Sequence, residues 1–201
     1  MDLILASGSP RRRELLAQAG YQFSVAVPGI SEPDPEPGVP VERYVAELAF
    51  LKAYAVARNT MRGVVLSADT ACDVEGTILN QPRDRTDADR MLRLQEGKVL
   101  EVWTGICLLR AESRQWVGAS ERSSLRFRPL SDEEREAYLD SGAWRGKAGG
   151  YGVQDDDPFV TVITGSWSNV VGLPLERLAA ILEDSRSLLG IKGDRVVGPP
   201  G

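Results

Sequence analysis

Arg11, Arg12, Lys52 and Asp69 are the residues of this chain whose types and placement suggest chemistry. The sequence has 201 residues and no histidine. That excludes Ser-His and Cys-His nucleophile pairs and His-ligated zinc. A general base must then be Asp, Glu, Lys, Tyr or Cys. A catalytic metal would be held by carboxylates and substrate oxygens, which favours magnesium or manganese. Arg11 and Arg12 follow Ser7-Gly8-Ser9-Pro10 and open a helical run whose apolar face is Leu15, Leu16 and Ala19. The i+3 and i+4 spacing to Leu15 and Leu16 makes both arginines project from the core-facing side of the first turn, while Arg13 faces solvent. Cations crowded inward at a positive helix end are unfavourable without an anion. Either an anionic ligand sits there, or the arginines pair with carboxylates elsewhere in the fold.

The elements that must position these residues follow from pattern. Residues 3–6 form a short apolar run that reads as a buried strand. Ser9 is placed to be the N-cap of the next helix, Pro10 its first residue and Gly20 its C′ residue. Strand, tight loop and helix N-terminus together make a ready anion site. A second strand is expected over 21–27, then a Pro- and acid-rich loop, 28–40, containing Glu32. Residues 41–59 form a helix with the stripe Val41, Tyr44, Val45, Leu48, Ala55 and Val56. Lys52 lies on that stripe, so it either snorkels to the surface or reaches a buried anion; the stripe alone slightly favours snorkelling. Residues 64–68 read as a buried strand with Asp69-Thr70 at its C-terminal end, where open α/β sheets bind ligands.

Further along, a hairpin is expected around Glu75-Gly76 and a helix capped by Thr86. Residues 99–110 and 116–128 form a long antiparallel pair. Ser131 and Glu134 make a capping box for a helix ending near Gly142. Gly146-Lys147-Ala148-Gly149-Gly150-Tyr151-Gly152 is a glycine-rich loop. Short strands are expected over 159–164 and 167–171, and a last helix from Pro174 to near Gly190. The fold class is α/β: a mixed twisted sheet with long antiparallel hairpins and flanking helices, in two lobes around a cleft. Residues 1–192 form a single domain, and 193–201 a frayed tail.

A net charge of −5 argues against a general nucleic-acid-binding surface. No apolar run is long enough to span a membrane, and the N-terminus has no signal-peptide pattern. Cys72 and Cys107, the two cysteines, are far apart and read as buried free thiols of a cytoplasmic protein.

The run Ala6-Ser7-Gly8-Ser9-Pro10-Arg11-Arg12-Arg13-Glu14-Leu15-Leu16 closely resembles the signature of the Maf family of nucleoside triphosphate pyrophosphatases. Three later stretches match the family pattern in order: Ala68-Asp69-Thr70, Lys147-Ala148-Gly149-Gly150-Tyr151-Gly152-Val153-Gln154, and Gly165-Ser166-Trp167 through Val170-Val171-Gly172-Leu173-Pro174-Leu175. Several motifs in sequence are far more specific than one. The resemblance implies an ITPase-like fold, a homodimer and hydrolysis of a nucleoside triphosphate between its α- and β-phosphates, in house-cleaning or cell-division control. It implies Asp69 as proton acceptor, with Lys52 catalytic beside it and Glu32 and Asp69 on a divalent metal. Ser7, Arg11, Arg12, Thr70, Gln81, Lys147 and Gln154 would bind substrate. Gly149 and Gly150 would let backbone N–H groups approach phosphate or base. Arg12, Thr70 and Gln154 are the positions associated with dTTP/UTP enzymes. A Gln amide can pair with the donor and acceptor edge of thymine or uracil. The alternatives are 7-methyl-GTP or a modified nucleotide as substrate, or a non-catalytic nucleotide-binding regulator. Gln81 departs from the pattern, because the family usually has lysine there; Arg83 or Arg85 could supply the missing charge. Ser31 replaces an acidic residue just before Glu32, and Leu100 a histidine.

Overall fold

The computed structural model describes residues 2–153 and 159–190. One mixed sheet organises them. Its strands are β1 (Leu3–Leu5), β2 (Ser24–Val25), β3 (Val64–Val74), β4 (Thr77–Leu79), β5 (Val99–Arg110), β6 (Trp116–Phe127) and β7 (Val160–Thr164). The order is β2-β1-β3-β5-β6-β7, with β4 paired to β3. β1 runs parallel to β2 and β3; the other pairings are antiparallel. The expected strand over 21–27 is shorter than read. Only Ser24 and Val25 find partners, because β1 offers three residues before the chain turns away at Ala6.

The helices are α1 (Pro10–Gln18), α2 (Val41–Ala57), α3 (Arg85–Gln95), α4 (Asp132–Ser141), α5 (Trp167–Val171), α6 (Leu175–Asp184) and α7 (Arg186–Leu189). Ser9 caps α1, its side chain accepting from the Arg12 N–H, with Pro10 at the start. Ser131 and Glu134 form the expected capping box of α4, which ends on Gly142 in the left-handed region. Two local readings fail. Asp84, not Thr86, caps α3, its carboxylate accepting from the Asp87 N–H. Residues 167–171 form a helix rather than a strand. Ser166 caps it, and its apolar residues Val170 and Val171 pack on different clusters instead of alternating across a sheet.

The core explains the cleft. On one face of the central strands, Leu66, Ala68, Ile106 and Leu108 pack under α1 and α6. Further along the same face, Cys72, Val74, Leu100 and Val102 pack under α3 and α4. Thr70 and Thr104 lie between these clusters, opposite each other in register and joined by a 2.9 Å hydrogen bond. This polar seam divides the apolar layer into two lobes. On the opposite face α2 covers the sheet closely. A Cβ on Gly105 would lie 2.5 Å from the Val45 carbonyl oxygen, so glycine there is what admits the helix. Among the described residues no helix is long and apolar enough to cross a membrane. The expected frayed tail, 193–201, lies outside the described residues.

Candidate functional site

The site forms at a gap in sheet pairing. β1 pairs with β3 only over 64–66, and β4 pairs with it only over 72–74. Residues 67–71 therefore present a strand edge that neither neighbour covers. Asp69 stands in the middle of this long strand rather than at its C-terminal end as read. The sequence break expected after Ala68 is absent, because β5 pairs along the whole of 64–73. Asp69 nevertheless lies just past the C-terminal end of β1, which gives it the opening a strand end would have.

Lys52 and Asp69 are the centre. Lys52 is 7 % exposed and Asp69 5 %. Lys52 Nζ donates to Asp69 Oδ1 at 2.5 Å and lies 2.8 Å from Glu32 Oε1. Lys52 thus does not snorkel; α2 directs it at a buried carboxylate on the facing strand. Burial pushes the Asp69 carboxyl above its ordinary value, helped by the nearby Glu32 charge and opposed by Lys52 and Arg12. Glu32 reaches in from the acid-rich loop, which is tethered by Tyr44. The Tyr44 hydroxyl donates to the Pro33 carbonyl at 2.9 Å and accepts from Asn80 Nδ2 at 2.7 Å.

The arginines of α1 approach from the opposite face of the sheet. Arg12 Nε donates to the Gly172 carbonyl at 2.7 Å, and Nη2 to Thr70 Oγ1 at 3.0 Å. Burial lowers the Arg12 guanidinium from its ordinary value; Asp69 opposes this and Arg11 adds to it. Arg11 Nη2 donates to the Gly146 carbonyl at 2.5 Å, which ties α1 to the glycine-rich loop. Ser7 is buried and its Oγ accepts from the Ser9 N–H at 3.1 Å. Arg12 forms no ion pair with a carboxylate among the described residues, in contrast to Lys52.

Two adjoining cavities collect these groups. One, of ≈ 440 Å³, is lined by Ser7, Arg11, Arg12, Glu32, Lys52 and Gln81 among others. The second shares Arg11, Arg12, Glu32, Lys52 and Gln81 and adds Asp69, Thr70 and Lys147. It then runs inward between apolar side chains that include Leu100, Val102 and Leu125. The structure thus brings together Ser7, Arg11, Arg12, Glu32, Lys52, Asp69, Thr70, Gln81 and Lys147. Gln154 lies outside the described residues. The expectation for Gly149 and Gly150 is corrected: their N–H groups donate to the Asn80 and Lys147 carbonyls, both at 3.0 Å, and are not offered to a ligand. Arg83 and Arg85 line neither cavity. Arg83 pairs with Asp87, and Arg85 with Glu136 and Asp140.

Sequence reasoning missed Arg145, which lines the larger cavity. Its guanidinium stacks 4.5 Å from the Trp144 ring centroid and has no carboxylate partner among the described residues. The Trp-Arg pair beside Gly146 was the available signal. Gln95, on the wall of the inner cavity, gave none, because a glutamine at a helix end is usually solvated.

The donor set suits a divalent cation. Glu32 and Asp69 converge on one point, Lys52 Nζ, with hard carboxylate oxygens, and magnesium is usually held by one or two carboxylates plus substrate phosphates. Among the described residues no group of three or more His, Cys, Asp or Glu is spaced to hold a metal unaided.

The model of the Maf-like protein family matches residues 2–185. A dTTP/UTP pyrophosphatase of Rhodopirellula baltica is 44% identical over 190 residues, covering 91% of this chain and 82% of that protein. The protein of the same name from Symbiobacterium thermophilum is 42% identical over 182 residues, covering 90% and 92%. A third, from Sphingopyxis alaskensis, is 44% identical over 190 residues, covering 94% and 98%. With a family model matched across nearly the whole chain and relatives of this identity, the chain belongs to the Maf-like protein family.

Proposed function

We propose that this protein hydrolyses dTTP and UTP to the monophosphate and pyrophosphate, with Asp69 as general base. The observation that carries the reading is the Lys52–Asp69 pair, buried in a cavity that joins cationic side chains to a wall including Leu100, Val102 and Leu125. The names of the three relatives support the substrate.

The chain's residues divide the work. Arg11, Arg12 and Lys52 neutralise the triphosphate, with the N-terminus of α1 adding the positive end of its dipole. Arg145 adds a further charge on the side where Gln81 is neutral. Asp69 takes the proton of the attacking water as the new O–P bond forms at the α-phosphorus. The bond from that phosphorus to the oxygen bridging the β-phosphate breaks, and pyrophosphate leaves. Burial raises the basicity of Asp69, while Lys52 fixes the carboxylate's position and limits the rise. Glu32 and Asp69 would hold a divalent cation, which would supply charge neutralisation on the phosphates and a more acidic water. Thr70, held by Arg12 and Thr104, lines the same cavity as Lys52 and Asp69.

The test is pyrophosphate release from a panel containing dTTP, UTP, dCTP, GTP and 7-methyl-GTP, with magnesium, manganese and cobalt. Preferred release from dTTP and UTP is the expected result. Preference for 7-methyl-GTP would move the substrate, and tight binding without release from any nucleotide would make the protein a nucleotide-binding regulator.

A further inference from the structure

We infer that Gln95 reads the nucleotide base, accepting a hydrogen bond from a ring N–H of the substrate pyrimidine in the cavity it shares with Arg12, Lys52 and Asp69. The inference rests on the pyrophosphatase reading above. Gln95 is the last residue of α3 and is 2 % exposed, and it lines the cavity with Cys72, Leu100, Val102 and Leu125. Its amide orientation is fixed by two donations. Nε2 donates to the Met91 carbonyl at 2.9 Å and to the Gly149 carbonyl at 2.7 Å. Both N–H bonds are thereby used. Oε1 accepts no hydrogen bond among the described residues.

The residue is buried, yet Oε1 is not among the fully enclosed unpaired atoms, so it stays reachable from the cavity, where a ligand donor can meet it. The space beside this oxygen is kept open by Gly149. That residue has φ +67°, and a Cβ on it would lie 2.8 Å from Gln95 Oε1 and 3.0 Å from Cys72 Sγ. A bare backbone therefore faces the amide oxygen, beside Cys72. Arg11, Arg12 and Lys52 line the same cavity, as does Thr70. A triphosphate on Arg11, Arg12 and Lys52 would direct its base toward Gln95.

The chemistry of the acceptor selects the base. With its nitrogen committed, the amide offers only a lone pair. Uracil and thymine carry a ring N3–H that can donate to it. Cytosine in the same pose presents N3 as a second lone pair, and the two would repel. A site that leaves a buried polar group unpaired with the wrong ligand discriminates more strongly than an apolar pocket does.

The experiment compares kcat/KM for dTTP and N3-methyl-dTTP in the wild type, Gln95→Leu and Gln95→Met. The wild type should prefer dTTP by about tenfold or more, and both variants should lose most of that preference. Loss of the Met91 and Gly149 hydrogen bonds alone would slow both substrates equally and leave the ratio intact. An unchanged ratio in the variants overturns the proposal. So does a wild type that turns over both substrates equally, a result that needs no variant to fold. If the wild type releases pyrophosphate from no triphosphate, the pyrophosphatase reading fails separately. The ratio of dTTP to N3-methyl-dTTP affinities, measured by calorimetry on the same proteins, then decides the role of Gln95.

Discussion

Replacing Lys52 by alanine should destabilise the protein by about 3–5 kcal/mol near neutral pH, because it leaves a buried carboxylate without its partner. Of the two carboxylates on Lys52, Glu32 has a side chain 47% exposed and can turn to water. Asp69, 5 % exposed on a central strand, cannot. Burial already holds the Asp69 carboxyl above its ordinary 3.8, and Lys52 is the largest charge opposing that rise. Without Lys52 the folded-state value climbs further. The sign follows from linkage. Over the interval between the two values, folded Asp69 keeps a proton that the unfolded chain has lost. The stability it contributes is present below the unfolded value and disappears as pH rises through the folded one. The gap between wild type and variant should therefore widen upward from about pH 4 and then level off. For a chain of this size the full loss corresponds to roughly 6–20 °C in Tm. The assay is urea unfolding between about pH 4.5 and pH 8 of the wild type, Lys52→Ala, Asp69→Asn and the double variant. The double variant should be more stable than Lys52→Ala alone, since its remaining buried group is neutral. A loss under about 1 kcal/mol, or one that does not change with pH, would refute the reasoning and return Lys52 to a solvated role.

Asp69→Asn should lower the rate of pyrophosphate release by about 10²–10⁴-fold while nucleotide binding, followed by calorimetry, is retained; a surviving rate would transfer the base to Glu32. Gln81→Lys should raise kcat/KM for dTTP or UTP by about tenfold, the difference between a neutral and a charge-assisted hydrogen bond to phosphate. Arg145→Ala should lower it, and Arg83→Ala, whose arginine faces Asp87, should not; the reverse pattern would place the compensating charge on Arg83. Burial pushes the thiols of Cys72 and Cys107 up to about 12, so thiol reagents near pH 8 should label both only after unfolding; rapid labelling of the folded protein would contradict their burial.

The sequence by itself determined the local grammar. Ser9 with Pro10, and Ser131 with Glu134, cap their helices using atoms a few residues away, so pattern alone locates them. The lengths of β5 and β6 were legible because two long runs face each other across a short turn. The inward bearing of Arg11 and Arg12 follows from helix phase. Residues 167–171 show the limit of such reading: an apolar run of that length fits a strand or a buried turn of helix, and only the Ser166 cap and the surrounding packing decide.

What the tertiary structure alone decided is where distant groups meet. The stripe on α2 left Lys52 undecided between water and a buried anion. The answer depends on Gly105, on another strand, admitting the helix close enough for Lys52 to reach Asp69. The cleft is likewise a property of pairing lengths: β1 and β4 each cover only part of β3, and no local pattern records the gap between them. Gln95 ends a helix, and only the folded chain shows that Met91 of that helix and Gly149 of the glycine-rich loop take its two N–H groups and leave its oxygen at the cavity. Caps and phases are set by neighbours along the chain, whereas burial and the shift of Asp69 are set by contacts that exist only once the chain has folded.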